Sequence, residues 1–316
     1  MKGFILSEDG FTLMELLVTV VMTTIVIAAV FTTFITQQRS FGTQDQVAEM
    51  VQSSKIAFNI LVDTIRNTGS GYPESEYPDI NGHGVVIDAV DSGDNGGPDA
   101  VTLIGGFKRV ATLSQSLAYG SNQMRISYID EPEFNMADKR YISIDGIGYA
   151  TITNCTLDDN GKCDSSQLIT LDRAVNVSYP AGRPVYLVED ITFCVNDNRE
   201  LQMRKRGANA ATCTGGNEVE TVLQNVDDLQ FSYGVDTDKD NVIDRWVNTP
   251  PAGSIVNAVR VGIVTRTMRE DQDLNPASKP YHTTGITLEN NNTPDNDRFR
   301  RMVWQMTITV RNLRQV

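Results

Sequence analysis

Residues 11–38 read FTLMELLVTVVMTTIVIAAVFTTFITQQ, and Glu15 is the only charged side chain in that run. From Leu16 to Gln38 there are 23 uncharged residues, the apolar part ending near Ile35. A bilayer hydrocarbon core of about 30 Å takes roughly 20 helical residues, so the stretch is long enough to span one. No small-residue A-x-A cleavage site follows it, so it is expected to stay in the mature protein. Thr19, Thr23, Thr24, Thr32, Thr33 and Thr36 make it less greasy than a simple anchor. Threonine hydroxyls bond back to the preceding turn or across to a neighbouring helix, which suits a helix that leaves lipid to pack against others. A carboxylate at the start of such a span is costly unless it is paired, or solvated at the headgroup boundary. By default it marks function.

Gly10-Phe11-Thr12-Leu13-Met14-Glu15 resembles the prepilin signature of type IV pilins and type II secretion pseudopilins. The resemblance implies that a prepilin peptidase cuts between Gly10 and Phe11 and N-methylates the new Phe11 terminus. It also implies that Glu15, fifth in the mature chain, neutralises the terminal amine of an adjacent subunit as helices stack in a filament. The physics agrees, because an ammonium and a carboxylate entering a low-dielectric bundle are each costly alone and offset one another when paired. The chain departs from the pattern at two places. Lys2 is the only base in the leader, with Glu8 and Asp9 beside the cleavage point. Thr24 and Thr32 stand where many major pilins have helix-loosening Gly and Pro, which argues against a major subunit.

No proline occurs between Phe11 and Tyr72, and Val47, Val51, Ser54, Phe58, Leu61 and Ile65 recur at spacings of four and three. They predict one apolar stripe on a helix that continues to about residue 68, where Thr68-Gly69-Ser70-Gly71-Tyr72-Pro73 stops it. Such a helix is about 87 Å long at 1.5 Å per residue. Beyond it, short β-like runs alternate with Gly, Asn, Asp and Pro turns. Strands are expected near Val85–Ala89, Ala100–Ile104, Met124–Ile129, Tyr141–Ile144, Leu168–Leu171, Val185–Val195, Val222–Tyr233, Ala258–Arg266 and Met302–Val310. One long helix followed by many strands predicts an α+β fold, its helix packed on a mainly antiparallel sheet. The expected organisation is a leader over 1–10, a membrane or filament-core helix over 11–38, its amphipathic continuation over 39–71, and a β-rich globular part over 72–316. Whether that last part is one domain or two sheets sharing the helix stays open.

Charge narrows the function. With 27 Lys+Arg against 40 Asp+Glu the net charge is −13, a poor match for nucleic acid. Two histidines, His83 and His282, leave little for a histidine-based metal or catalytic site. No P-loop, G-x-G-x-x-G, G-x-S-x-G or H-E-x-x-H pattern points to an enzyme. Arginines 298, 300, 301, 311 and 314 form a basic stretch expected to solvate a sheet face or to meet acidic surface. Four cysteines allow three pairings; short loop closure favours Cys155 with Cys163 and Cys194 with Cys213, as expected of an exported domain.

Asp236-Thr237-Asp238-Lys239-Asp240-Asn241-Val242-Ile243-Asp244 carries the sharpest chemical spacing. Acids at relative positions 1, 3, 5 and 9 match the first part of a calcium loop, with Val242 offering its carbonyl and Asn241 standing where glycine is usual. Position 12 is Val247, so the bidentate glutamate of an EF-hand is missing and a remote ligand such as Glu270, Asp271 or Asp273 is needed. Calcium is the cofactor expected here. An ordinary solvated acidic turn is the competing reading.

Asn225-Val-Asp-Asp-Leu-Gln-Phe-Ser-Tyr-Gly, Ala258-Val-Arg-Val-Gly-Ile-Val and Arg300-Arg-Met-Val-Trp resemble segments of the PilW family of minor pilins. That resemblance implies a low-abundance structural subunit at a type IV pilus tip that helps to initiate assembly. Its implied partners are other minor pilins and the major pilin through the N-terminal helix, the prepilin peptidase, and a tip adhesin. It implies a single-pass inner-membrane protein with a periplasmic C-terminal part, then a place in the pilus at the cell surface. The alternatives are a minor pseudopilin of a type II secretion system and a membrane-anchored binding protein outside any filament.

Overall fold

The computed structural model describes residues 12–71, 80–92, 97–128, 140–155, 168–251, 254–272, 274 and 297–312. Its contacts divide the chain into two units, Met1–Glu49 and Met50–Val316. Helix α1 (Leu13–Asn67) runs through both. In the first unit the helix is almost wholly exposed, and among the described residues α1 is the one helix long and apolar enough to cross a membrane.

In the second unit α1 buries Met50, Ser54, Ala57, Phe58, Leu61, Val62 and Ile65. The expected stripe held from Ser54 onward, but Val47 and Val51 are only half-buried. A stripe written at a 3.5-residue period drifts about 20° per heptad on a straight helix, so Met50, Ala57 and Val62 turn inward as the earlier valines turn away. The helix ends against a pair of glycines. Gly69, at φ 77°, donates its N–H to the Ile104 carbonyl at 2.8 Å. A side chain at Gly105 would lie 3.1 Å from the Asn67 carbonyl, so this close approach requires glycine there.

The strands follow in chain order: β1 (Ile87–Val90), β2 (Ala100–Leu113), β3 (Gln123–Met124), β4 (Ile126–Tyr128), β5 (Arg140–Ile144) and β6 (Gly148–Asn154). Next come β7 (Ile169–Leu171), β8 (Pro184–Val195), β9 (Leu201–Lys205), β10 (Ala208–Asn209) and β11 (Thr214–Gly215). The last are β12 (Glu218–Leu223), β13 (Val226–Asp236), β14 (Arg245–Val247), β15 (Ile255–Arg266) and β16 (Arg301–Thr309). Every pairing among them is antiparallel. Ten form one sheet around the long pair β2–β8, four form a second in the order β14-β13-β15-β16, and β10–β11 is a separate ribbon.

The pair β2–β8 serves two cores. The outer edge of β8 meets β5 along Val185–Val188 and β9 along Ile191–Val195. One core joins the second half of α1 to Leu103, Phe193, Phe231, Val261 and Ile308, and therefore to both sheets. The other is built by Val110, Met124, Ile142, Ile152, Leu171 and Val185. The globular part is thus two sheets that meet the helix in one core, with a second core built on the ten-stranded sheet alone. The Ser54 hydroxyl donates to Thr265 Oγ1 of β15 at 3.1 Å, and the Phe58 ring lies 6.1 Å from Trp304 of β16, so the helix seats on the four-stranded sheet.

The expected single run Val222–Tyr233 is two strands. Asn225 adopts a left-handed φ of 59° and ends β12 before β13 begins. The two sheets are tied by Asp99, the residue just before β2. It is buried; its N–H donates to the Leu229 carbonyl at 2.7 Å, and its carboxylate accepts the N–H of Phe231 and of Ser92, both at 3.0 Å. Burial outweighs these donors and holds its carboxyl above the usual aspartate value.

His83 accounts for one of the two histidines. Its Nδ1 lies 2.8 Å from Asp88 Oδ2. That hydrogen bond raises its pKa; burial opposes the rise, and the charges of Asp88 and Asp190 reinforce it. A histidine raised above its unfolded value stabilises the fold fully below about pH 6.5 and loses that contribution as pH climbs through the folded value. His83→Gln is therefore expected to lower the melting temperature at pH 5.5 and to converge on wild type by pH 9. Thermal melts of both proteins across that range check it, and a constant difference at all pH values refutes it.

Candidate functional site

Two places in the chain present chemistry. At the first, Thr12 and Glu15 form the start of α1. The Glu15 N–H donates to Thr12 Oγ1 at 3.3 Å, while the Glu15 carboxylate lies 3.5 Å from the Thr12 N–H and 3.4 Å from its hydroxyl. This is a reciprocal capping box, and the T-x-x-E spacing of Thr12 and Glu15 that specifies it is legible in the sequence. Glu15 is exposed, as are the apolar side chains from Leu13 to Phe41. Gly10 and Phe11 lie outside the described residues. All six threonines direct their hydroxyls to carbonyls of the preceding turn of α1, for example Thr23 to Thr19 at 2.7 Å and Thr32 to Ala28 at 2.8 Å.

The second place is the turn between β13 and β14. The carboxylates of Asp236, Asp238 and Asp244 converge, with one oxygen from each lying within 4.8 Å of the others. Asp236 is buried at the end of β13, and its carboxylate accepts the N–H of Lys239 at 2.6 Å and of Asn241 at 2.8 Å. Desolvation works to raise the Asp236 carboxyl, but these donors and the Asn257 amide outweigh it and hold it below the usual value. Asp244 accepts both the hydroxyl and the N–H of Thr237, which lower its pKa in the same way. Asp238 is pushed the other way, by desolvation and then by the charges of Asp240 and Asp244. Lys239 and Asn241 both take left-handed φ, 66° and 67°, so asparagine at the usual glycine position performs the turn the spacing requires.

Asp240 is not among the three converging carboxylates. Asp240 Oδ1 accepts the Val242 N–H at 2.7 Å, a local Asx turn, and the Val242 side chain is exposed. Ile243 anchors the turn instead. It lies over Gly234, where a Cβ would come within 2.9 Å of its Cδ1. Of the remote ligands suggested by sequence, Asp271 is engaged by Arg300 at 2.6 Å, Asp273 lies outside the described residues, and Glu270 is absent from the converging trio.

The basic C-terminal stretch is not a solvated face at Arg301. That side chain is 8% exposed and pairs with Asp227 at 2.5 Å and Asp297 at 2.6 Å, while Arg199 and Arg266 meet the same Asp227. Cys194 and Cys213 form a disulfide with Cα atoms 5.6 Å apart. Cys155 is also disulfide-bonded, and its expected partner Cys163 lies outside the described residues.

The chain is thus a single long helix, apolar in its first half, leading into an antiparallel-sheet domain. Residues 185–312 match the family described as Type IV Pilus-assembly protein W. The matched span includes β13, β15 and β16, adjacent strands of one sheet, which hold the three segments whose sequences resembled that family. No curated protein matches the chain. Among solved structures the chain is similar to the Type IV-like pilin TTHA1219 from Thermus thermophilus, at 12% identity, over 84% of this chain and 100% of that one, with a TM-score of 0.38.

Proposed function

We propose that the protein is a minor pilin, a structural and non-catalytic subunit that sits at the tip of a type IV pilus and helps to start its assembly. The observation that carries this reading is the exposed apolar first half of α1 with Glu15 as its single acid. More than twenty consecutive uncharged residues cannot remain in water; they need lipid before assembly and other helices after it. The PilW match over 185–312 supports the same reading from the other end of the chain. Its partners through α1 are the other minor pilins and the major pilin. The membrane is its resting place, with the sheet domain on the periplasmic side.

Shearing pili from cells and probing them for this chain tests the proposal. The chain should copurify with filaments in far smaller amount than the major subunit, and immunogold should label filament ends. Deleting the gene should cut filament number without reducing major-pilin levels. A chain that stays wholly in the membrane fraction, with filament number unchanged on deletion, removes the reading.

A further inference from the structure

A strand with one unpaired side carries a row of N–H and C=O groups that pair readily with another extended chain. Folded proteins blunt such edges by shortness, charge, proline or bulges. Here the edge strands β1, β3, β4 and β14 are two to four residues long. Edge strand β12 carries Glu218 and Glu220 along its exposed length. Among the described residues β16 is the exception. It closes one side of the four-stranded sheet and pairs with β15 over nine consecutive residues without a bulge. From Met302 to Val310 it has no charge, glycine or proline.

The ladder fixes which groups are open. Val310 donates its N–H to the Asn257 carbonyl at 3.0 Å, and Thr267 donates to the Arg300 carbonyl at 2.9 Å. In that register the main-chain groups of the even-numbered residues of β16 face β15. Alternation turns the N–H and C=O of Val303, Gln305, Thr307 and Thr309 outward. None of these groups has a hydrogen-bond partner among the described residues, and Gln305, Thr307 and Thr309 are exposed. Met306 adds an apolar side chain, 44% exposed, in the middle of the strand.

We propose that the open edge of β16 pairs, main chain to main chain, with the edge strand of an adjacent filament subunit of the same architecture. The proposal rests on the filament reading above. Helix α1 seats on this same sheet through Ser54 and Phe58, so subunits gathered by parallel helices bring their sheets alongside one another. Polarity fits as well. Each strand in the order β14-β13-β15-β16 is antiparallel to the next, so the two edges β14 and β16 run in opposite directions. A neighbour in the same orientation therefore presents to β16 a strand of the right sense for an antiparallel ladder. A second β16 is the poorer occupant. Two β16 edges pair antiparallel only about an axis normal to the sheet, and that axis turns the two seated helices in opposite directions, which a common membrane forbids. Charge acts in the same sense: in a chain of net charge −13, β16 offers a neutral edge that another acidic subunit can approach.

Sheared filaments and the full-length chain in detergent micelles supply the test. Thr307→Pro removes one outward N–H and leaves the β15 bonds in place, since proline is tolerated on the open side of an edge strand. Its melting temperature should match wild type, while its recovery in filaments should fall by about tenfold or more. Thr307→Ala, which keeps the N–H, should be recovered like wild type. Should Thr307→Pro fail to fold, a photoreactive benzophenone amino acid in place of Gln305 carries the test in cells. It should crosslink to a strand residue of a second subunit that has its own apolar N-terminal helix. Normal recovery of Thr307→Pro in filaments overturns the pairing and leaves the filament reading standing. So does a crosslink that falls only on helices or on a protein without such a helix. Wild type absent from filaments removes the filament reading, and the pairing with it.

Discussion

Protein recovered from sheared filaments is expected to begin at N-methyl-Phe11, with Gly10→Val accumulating as an unprocessed chain that keeps Met1. Intact-mass spectrometry reads both outcomes, and an assembled chain beginning at Met1 would sink the processing step. The Glu15 variants separate two roles for one carboxylate. Within the chain, Glu15 closes a capping box with Thr12. Losing a cap costs about 0.5–2 kcal/mol of helix stability, whereas leaving an ammonium unpaired in a low-dielectric bundle costs several kcal/mol. Glutamine also serves at the third position of a capping box but carries no charge. Both Glu15→Ala and Glu15→Gln should be cut by the peptidase, and both should fall out of filaments. Normal incorporation of Glu15→Gln would assign the residue to capping and withdraw the pairing role.

The largest stability effect is expected at Asp227. Its carboxylate is 7% exposed and faces Arg199, Arg266 and Arg301, of which Arg301 is equally buried. Removing one partner of a buried ion pair strands the other, at a cost of about 3–5 kcal/mol. Asp227→Asn should therefore lower the denaturant midpoint of the full-length chain by a correspondingly large step. Replacing the pair together, Asp227→Leu with Arg301→Met, should recover only part of the loss, because the apolar pair avoids its own desolvation but leaves Arg266 and Asp297 without these partners. Equilibrium unfolding of wild type, the single variant and the double variant decides it. A single-variant loss below about 1 kcal/mol would place the network with ordinary surface pairs.

The long helix was legible because apolar composition and the absence of proline are local properties, and the Thr68–Pro73 stop stands in one stretch of sequence. Strand existence was legible for the same reason where β-branched residues cluster, as in Val185–Val195 and Ala258–Arg266. The misses share a different cause. Strand β9, Leu-Gln-Met-Arg-Lys, has no β-branched residue and is held by its ladder to β8, a pairing no local pattern reports. Asp99 and Asp227 carry no mark of burial in the sequence, since nothing adjacent shows that a strand amide or three guanidiniums will close over them. At the aspartate turn the spacing was visible and the left-handed asparagine was inferable. The Asn257 amide that meets Asp236 was not, because it sits at a bulge of β15 against β13, and a bulge exists only relative to the strand it faces.

The internal bonding of the α1 threonines has a mechanical consequence. With Thr19, Thr23, Thr24, Thr32, Thr33 and Thr36 all bonded to their own helix, the surface they offer a neighbour consists of methyl groups. Contacts of that kind are non-directional, so such a helix can rotate or slide against lipid tails or another helix without breaking a hydrogen bond. Exchanging one apolar surrounding for another then meets little friction along the shaft. The only side chain between Leu13 and Gln38 that can fix an axial position by charge is Glu15, one turn from the end.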